Sequence, residues 1–73
     1  MTPVRCMYDP EADPAYVYLV EDIQVGEAAR TVCVHPEDVG GMVNIDLDRD
    51  GKILGIEILD ARSMMRPDVL PDQ

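Results

Sequence analysis

The sequence predicts a β-rich α+β domain, a small antiparallel meander of about five strands with one short C-terminal helix. Three observations carry that expectation. Apolar and polar residues alternate at period two in several short runs, most cleanly from Met42 to Asp48. Turn-forming clusters, among them Asp9-Pro10, Asp13-Pro14, Gly40-Gly41 and Asp50-Gly51, separate those runs. Phe and Trp are absent and only three Tyr occur, so the core falls to Val, Ile, Leu, Met and Ala.

Each element follows in order. Val4, Cys6 and Tyr8 alternate with Arg5 and Met7, which predicts a first strand that Asp9-Pro10 stops. Asp9 to Pro14 holds two prolines and three carboxylates, so it reads as a turn. The run Ala15 to Val20 favours a second strand, with Ala15, Val17 and Leu19 on one face and Tyr16, Tyr18 and Val20 on the other. Because both faces are apolar, this strand is expected to be covered on two sides, by a central place in the sheet or by a second copy of the chain. Glu27 to Val34 resumes strand composition, and His35 to Gly41 reads as a loop.

Met42 to Asp48 is expected to turn Val43, Ile45 and Leu47 inward and Asn44, Asp46 and Asp48 outward. Asp48-Arg49-Asp50-Gly51 supplies a turn, and Ile53 to Leu59 returns as the partner of a hairpin with Leu54, Ile56 and Ile58 on one face. Asp60 is placed to cap a helix over Ala61 to Arg66, which Pro67 ends. The whole chain, 1–73, reads as a single small domain with an ordered core over 3–66 and a loosely ordered tail over 67–73, frayed at Pro71-Asp72-Gln73. One sheet with one short helix leaves a layer missing, and a second subunit is expected to supply it. The tyrosine side is the expected interface, with Tyr16, Tyr18 and Leu59 as its candidates.

Six Lys and Arg stand against fifteen Asp and Glu, a net charge of −9. That balance offers no basic footprint for nucleic acid or for an anionic membrane surface. The longest apolar stretches run to about six residues, against the roughly 20 that cross a bilayer. No leader of the signal-peptide kind opens the sequence, and Cys6 and Cys33 alone make no disulfide framework, so a reducing cytoplasm is expected.

Several constellations invite chemistry, and each has a structural counterpart. Asp46, Asp48, Asp50 and Gly51, followed by Glu57, match the literal pattern of a calcium loop, in which alternate carboxylates converge on a hard cation. Such a loop needs a helix on each side, however, and the flanking residues alternate as strands. These carboxylates are therefore read as the solvated face of a hairpin, with a weak divalent-cation site as the alternative. Asp9, Glu11 and Asp13 could likewise hold a cation, but Asp before Pro is ordinary turn chemistry. Cys33 and His35 point the same way if the strand continues, a spacing open to a nucleophile and base, though a His before Pro reads as a loop residue. His35 has no zinc-ligand partner spacing, and the thiols sit in apolar runs as small hydrophobes. No GxSxG, GxGxxG, HExxH or phosphate-loop motif occurs, so no enzyme activity and no cofactor are expected.

The stretches Tyr8 to Leu19 and Val43 to Ala61 resemble the small prokaryotic family called domain of unknown function 2283. Tyr8, Asp9, Glu11, Asp13, Asp48, Gly51, Gly55, Ile56, Glu57 and Ile58 fall where that family has a tyrosine-aspartate turn, a second acidic residue before an apolar strand, and a closing GIEIL-type strand. The chain departs from the pattern at Pro14 and Ala15, where the family tends to have a small residue and then a larger aliphatic one. The resemblance implies a bacterial cytoplasmic protein with no assigned activity or catalytic residues. Some members look like the smaller partner in two-gene toxin–antitoxin arrangements. Together these readings give a non-enzymatic, self-associating or protein-binding domain, expected as a homodimer with a possible basic protein partner. A weak divalent-cation or small-molecule site in the acidic turn and hairpin is the alternative.

Overall fold

The computed structural model describes residues 3–71. Five strands build one antiparallel sheet: β1 (Arg5–Tyr8), β2 (Ala15–Tyr18), β3 (Arg30–Val34), β4 (Val43–Leu47) and β5 (Ile53–Ile58). Their spatial order is β1-β2-β5-β4-β3. The chain thus makes a β1–β2 hairpin and a β3–β4–β5 meander, and β5 joins the two by pairing with β2. This differs from an unbroken meander in one respect, because residues 19–29 carry the chain from β2 across to the far edge. β5 ends up central, and its Leu54 and Gly55 are buried.

The hairpin between β4 and β5 follows from its turn residues. The Asp48 carboxylate accepts the backbone N–H groups of Asp50 and Lys52, each at 2.9 Å, and Gly51 takes a left-handed φ of 80°. A bulge beside the turn places Leu47 opposite Ile53 while Asp46 faces Gly55, so Leu54 is the extra residue.

Two one-turn helices and a 3-10 turn complete the described residues. α1 (Pro36–Val39) occupies what reads from the sequence as loop. Pro36 stands at its first position, His35 caps it through a ring nitrogen, and Gly40 ends it in left-handed conformation. α2 (Ala61–Met64) is the expected C-terminal helix, shortened to one turn. Asp60 holds its N-cap position but makes no side-chain bond there; the cap comes from Asp13, far away in sequence. Residues Pro67–Val69, read as tail, form a 3-10 turn beside an Arg66–Asp68 pair at 2.9 Å. Asp72 and Gln73 of the expected frayed end lie outside the described residues.

Residues paired directly across neighbouring strands share a face, so the register assigns every strand side chain. Cys6, Tyr8, Ala15, Val17, Arg30, Val32, Val34, Val43, Ile45, Leu47, Ile53, Ile56 and Ile58 face one way, and the bulged Leu54, which has no cross-strand partner, is buried among them. Arg5, Met7, Tyr16, Tyr18, Thr31, Cys33, Asn44, Asp46, Gly55 and Glu57 face the other. The buried strand hydrophobics Ala15, Leu47 and Leu54 all belong to the first face, and Ala61 of α2 completes the core. The inward set expected for β4 and β5 is the observed one.

Candidate functional site

The second face gathers nearly all the polar chemistry of the strands. Tyr16 comes from β2, Asp46 and Asn44 from β4, Glu57 and Gly55 from β5, Thr31 from β3 and Arg5 from β1. Tyr16 donates its hydroxyl to Asp46 Oδ2 at 2.5 Å, and Thr31 donates to Asp46 Oδ1 at 2.6 Å. Asn44 Nδ2 donates to Glu57 Oε1 at 3.1 Å. The rings of Tyr16 and Tyr18 lie 4.7 Å apart at 53°, and the Arg5 guanidinium sits 4.2 Å above the Tyr18 ring.

Tyr16 reaches Asp46 by lying across β5, and Gly55 is what permits it. A Cβ at position 55 would stand 2.7 Å from the Tyr16 hydroxyl oxygen and 2.8 Å from ring Cζ, closer than packed atoms tolerate. Gly55 therefore acts as a floor for the ring. Burial, then the bond to Asp46 and its negative charge, raises the Tyr16 phenol well above the ordinary tyrosine range. A hydroxyl held in its neutral form donates; it is neither a base nor a nucleophile near neutral pH. The result is a fixed pair of carboxylates on an open sheet face, set among tyrosine rings and hydroxyls.

The other carboxylates singled out from the sequence have separate tasks. Asp46 is tied to Tyr16 and Thr31, Asp48 closes the hairpin turn, and Glu57 pairs with Asn44. Asp50 contributes its backbone N–H to the Asp48 turn. Among the described residues, no three His, Cys, Asp or Glu side chains group so as to hold a metal ion. In the acidic turn, Asp9 Oδ1 accepts the backbone N–H of Glu11 at 3.0 Å, the turn chemistry expected of Asp before Pro.

Asp13 takes a different part. It is the one non-glycine residue with left-handed φ among those described, at 76°. Its carboxylate accepts from the Tyr8 hydroxyl at 2.6 Å and from the backbone N–H of Arg62 at 3.0 Å, while its carbonyl accepts from Ala61 N at 3.0 Å. Asp13 thus caps α2 and ties it to the β1–β2 hairpin. The Tyr8 bond first, then the Arg62 backbone and charge, hold its carboxyl below the usual aspartate range, against the opposing effect of burial.

Cys33 and His35 do not form the pair that a continued strand would make. β3 ends at Val34, and the ring Nδ1 of His35 turns to the backbone N–H of Glu37 at 3.4 Å. Cys6 and Cys33 are free thiols on opposite faces and opposite edges of the sheet. Leu59 lies one residue beyond β5, its N–H bonded to Met42 O at 3.0 Å. Tyr16 and Tyr18 stand together as expected, on the polar face.

The family model described as Protein of unknown function (DUF2283) matches residues 6–62. The chain belongs to that family. No curated protein and no solved structure matches it. In this DUF2283 chain the matched span runs from inside β1 to the first turn of α2, and so takes in the Asp13–Arg62 cap. No helix among the described residues is long and apolar enough to cross a membrane.

Asn44 and Gly55 fall on the outward face that alternation predicts, but sequence reasoning missed what they do there, and missed Arg5 and Thr31 as parts of the polar face. Only Gly55 carried a signal: an isolated glycine inside a strand marks a close approach. Thr31 and Arg5 gain their roles from strand order, which the local pattern does not specify.

Proposed function

We propose that this DUF2283 protein is a non-enzymatic domain that binds other proteins, and that its polar sheet face receives a cationic one. The observation that carries this reading is the pair Asp46 and Glu57, held in place by Tyr16, Thr31 and Asn44 on a partly exposed sheet face. Arg5 supports it from within the chain, since its guanidinium already lies on Tyr18 as an incoming arginine would. The net charge of −9 steers a basic partner toward the molecule, and rigid carboxylates lower the cost of ordering on contact. A small acidic chain that neutralises a basic toxin-like protein in a bacterial cytoplasm is the specific form of this role. A reducing compartment suits Cys6 and Cys33, which stand too far apart in the fold to pair.

A second copy is a poor occupant of this same face. Each copy would bring two carboxylates and one guanidinium, so like charges would meet.

An arginine-rich peptide titrated into the protein, followed by calorimetry and by amide chemical shifts, tests the reading. Saturable binding that weakens steeply with salt, with shifts centred on Tyr16, Thr31 and Asn44, is expected. Asp46→Asn with Glu57→Gln should weaken it by about tenfold or more. Binding spread evenly over the acidic loops, or unchanged in the double variant, overturns the proposal.

A further inference from the structure

The opposite face of the sheet is aliphatic and only partly covered. Its central row, Cys6, Val17, Ile56, Ile45 and Val32, crosses all five strands as successive cross-strand neighbours. None of the five is buried, and Val32 on the edge strand is 40% exposed. The next row, Tyr8, Ala15, Ile58, Val43 and Val34, lies toward Ala61 and the single turn of α2. Beyond Ala15, Leu47, Leu54 and Ala61, no hydrophobic side chain among the described residues is buried.

Charge separates this face from the rest of the molecule. The chain holds fifteen Asp and Glu, yet none of the strand residues pointing this way is acidic, and Arg30 at one corner is the only charged strand residue there. Asp13, bonded to Tyr8, puts one carboxylate at the margin of this face, but the central row carries none, so it offers a cationic partner no counter-charge and brings no like charges together at the centre of a symmetric pair.

We propose that a second copy of this chain packs on this face, sheet against sheet, with the Cys6–Val17–Ile56–Ile45–Val32 row at the centre of the interface. Two twisted sheets of one hand stack about 10 Å apart with their strands roughly 30° from parallel, and a two-fold axis makes one patch complementary to itself. Five strands at about 4.8 Å spacing, each of about five residues at 3.3 Å, give a face of roughly 400 Å² in projection per copy. Over both copies that is roughly 800 Å², the size of a weak, transient interface rather than a permanent one, so the dimer is expected to dissociate on dilution. Because the remaining charge is acidic and sits around the rim and on the outer faces, added salt screens repulsion and tightens this dimer. The cationic partner responds in the opposite sense, which keeps the two proposals separable.

The test is sedimentation equilibrium of the full chain over micromolar concentrations at low and high salt, with two matched lysine insertions on exposed edge-strand positions. Val32→Lys lies on the aliphatic face and should raise the dimer dissociation constant by at least about thirtyfold. Met7→Lys lies on the polar face and should leave it within about twofold. The thiols give a readout that needs neither variant. In a Cys33→Ser chain, labelling of Cys6 should slow as protein concentration rises; in a Cys6→Ser chain, labelling of Cys33 should not. A chain that stays monomeric at high salt overturns the proposal. So does a dimer that Met7→Lys dissociates and Val32→Lys does not, or concentration-dependent protection of Cys33 in place of Cys6.

Discussion

Alternate residues of the same five strands make two faces that differ in how their needs are met. On one, Tyr16, Thr31, Asn44, Asp46 and Glu57 satisfy one another by hydrogen bonds between side chains, and Gly55 makes room for the arrangement. On the other, burial is concentrated at Ala15, Leu47, Leu54 and Ala61, while Val17, Ile45, Ile56 and Val32 keep part of their surface in water. Directional bonds complete a face within one chain, because a few partners suffice. Burial of an aliphatic face needs a whole layer, and a single helical turn is too small to be one.

The largest expected effect sharpens the aliphatic side of that contrast. Leu54 is 3% exposed, so Leu54→Ala should destabilise the chain by about 3 kcal/mol through lost burial and the cavity left behind. Ile45→Ala, at a partly exposed position of the same face, should cost about half as much in the monomer. Urea unfolding of both variants at low protein concentration checks the ratio. Equal losses would mean that the central row is as well covered as the Leu54 end.

Next comes the floor of the polar face. Gly55→Ala should cost about 1 to 3 kcal/mol, because the Tyr16 ring must lift off β5 and surrender its bond to Asp46. The decisive measurement is a double-mutant cycle. In a Tyr16→Ala background the same Gly55→Ala change should be nearly neutral, since the atoms it would strike are gone. A penalty that persists would place the cause in the backbone of β5.

Much of this contrast was legible in the sequence, and the missing parts have a physical reason. Period-two alternation gave the strand faces of β4 and β5 and put Tyr16 and Tyr18 side by side. The Asp-Gly turn gave the hairpin that excludes a helix-flanked calcium loop. Strand order was not legible, because nothing local says that β5 inserts between β2 and β4. With it went the Tyr16–Asp46–Thr31 group, which spans four strands, and the cap that Asp13 lends to α2 from 49 residues away. The α1 turn was hidden for a different reason: Pro36 and Gly40 serve equally as loop residues and as the first and last residues of one helical turn.

A smaller effect belongs to the Tyr16 hydroxyl alone. Tyr16→Phe should cost about 1 kcal/mol near neutral pH, with Thr31 still donating to Asp46. Its pH dependence has a definite sign. The folded phenol titrates higher than the unfolded one, so the contribution is whole below the ordinary tyrosine range and fades as pH rises toward the raised value. Denaturant melts of wild type and variant at neutral and alkaline pH should converge in alkali. A gap that stays constant would show that the phenol ionises alike in the folded and unfolded chains.

The smallest effect tests how the aliphatic face keeps what cover it has. Asp13 holds α2 in place through Arg62 N and Ala61 N, and α2 supplies Ala61, the one helical residue in the core. Its folded carboxyl titrates below the unfolded value, which fixes the direction: the stabilisation is complete above the ordinary aspartate range and is lost as pH falls through the depressed value. Solvent reaches this carboxylate, so the loss should be modest and should diminish in high salt. Asp13→Asn keeps an oxygen for Tyr8 and Arg62 but carries no charge. It should therefore melt slightly below wild type at neutral pH and match it in strong acid. Binding of an apolar dye should follow the same course, rising in wild type as acid loosens α2 from the sheet and changing little in the variant over that window. Identical acid profiles for the two chains would mean that α2 is held by packing, and that the aliphatic face does not depend on Asp13 for its partial cover.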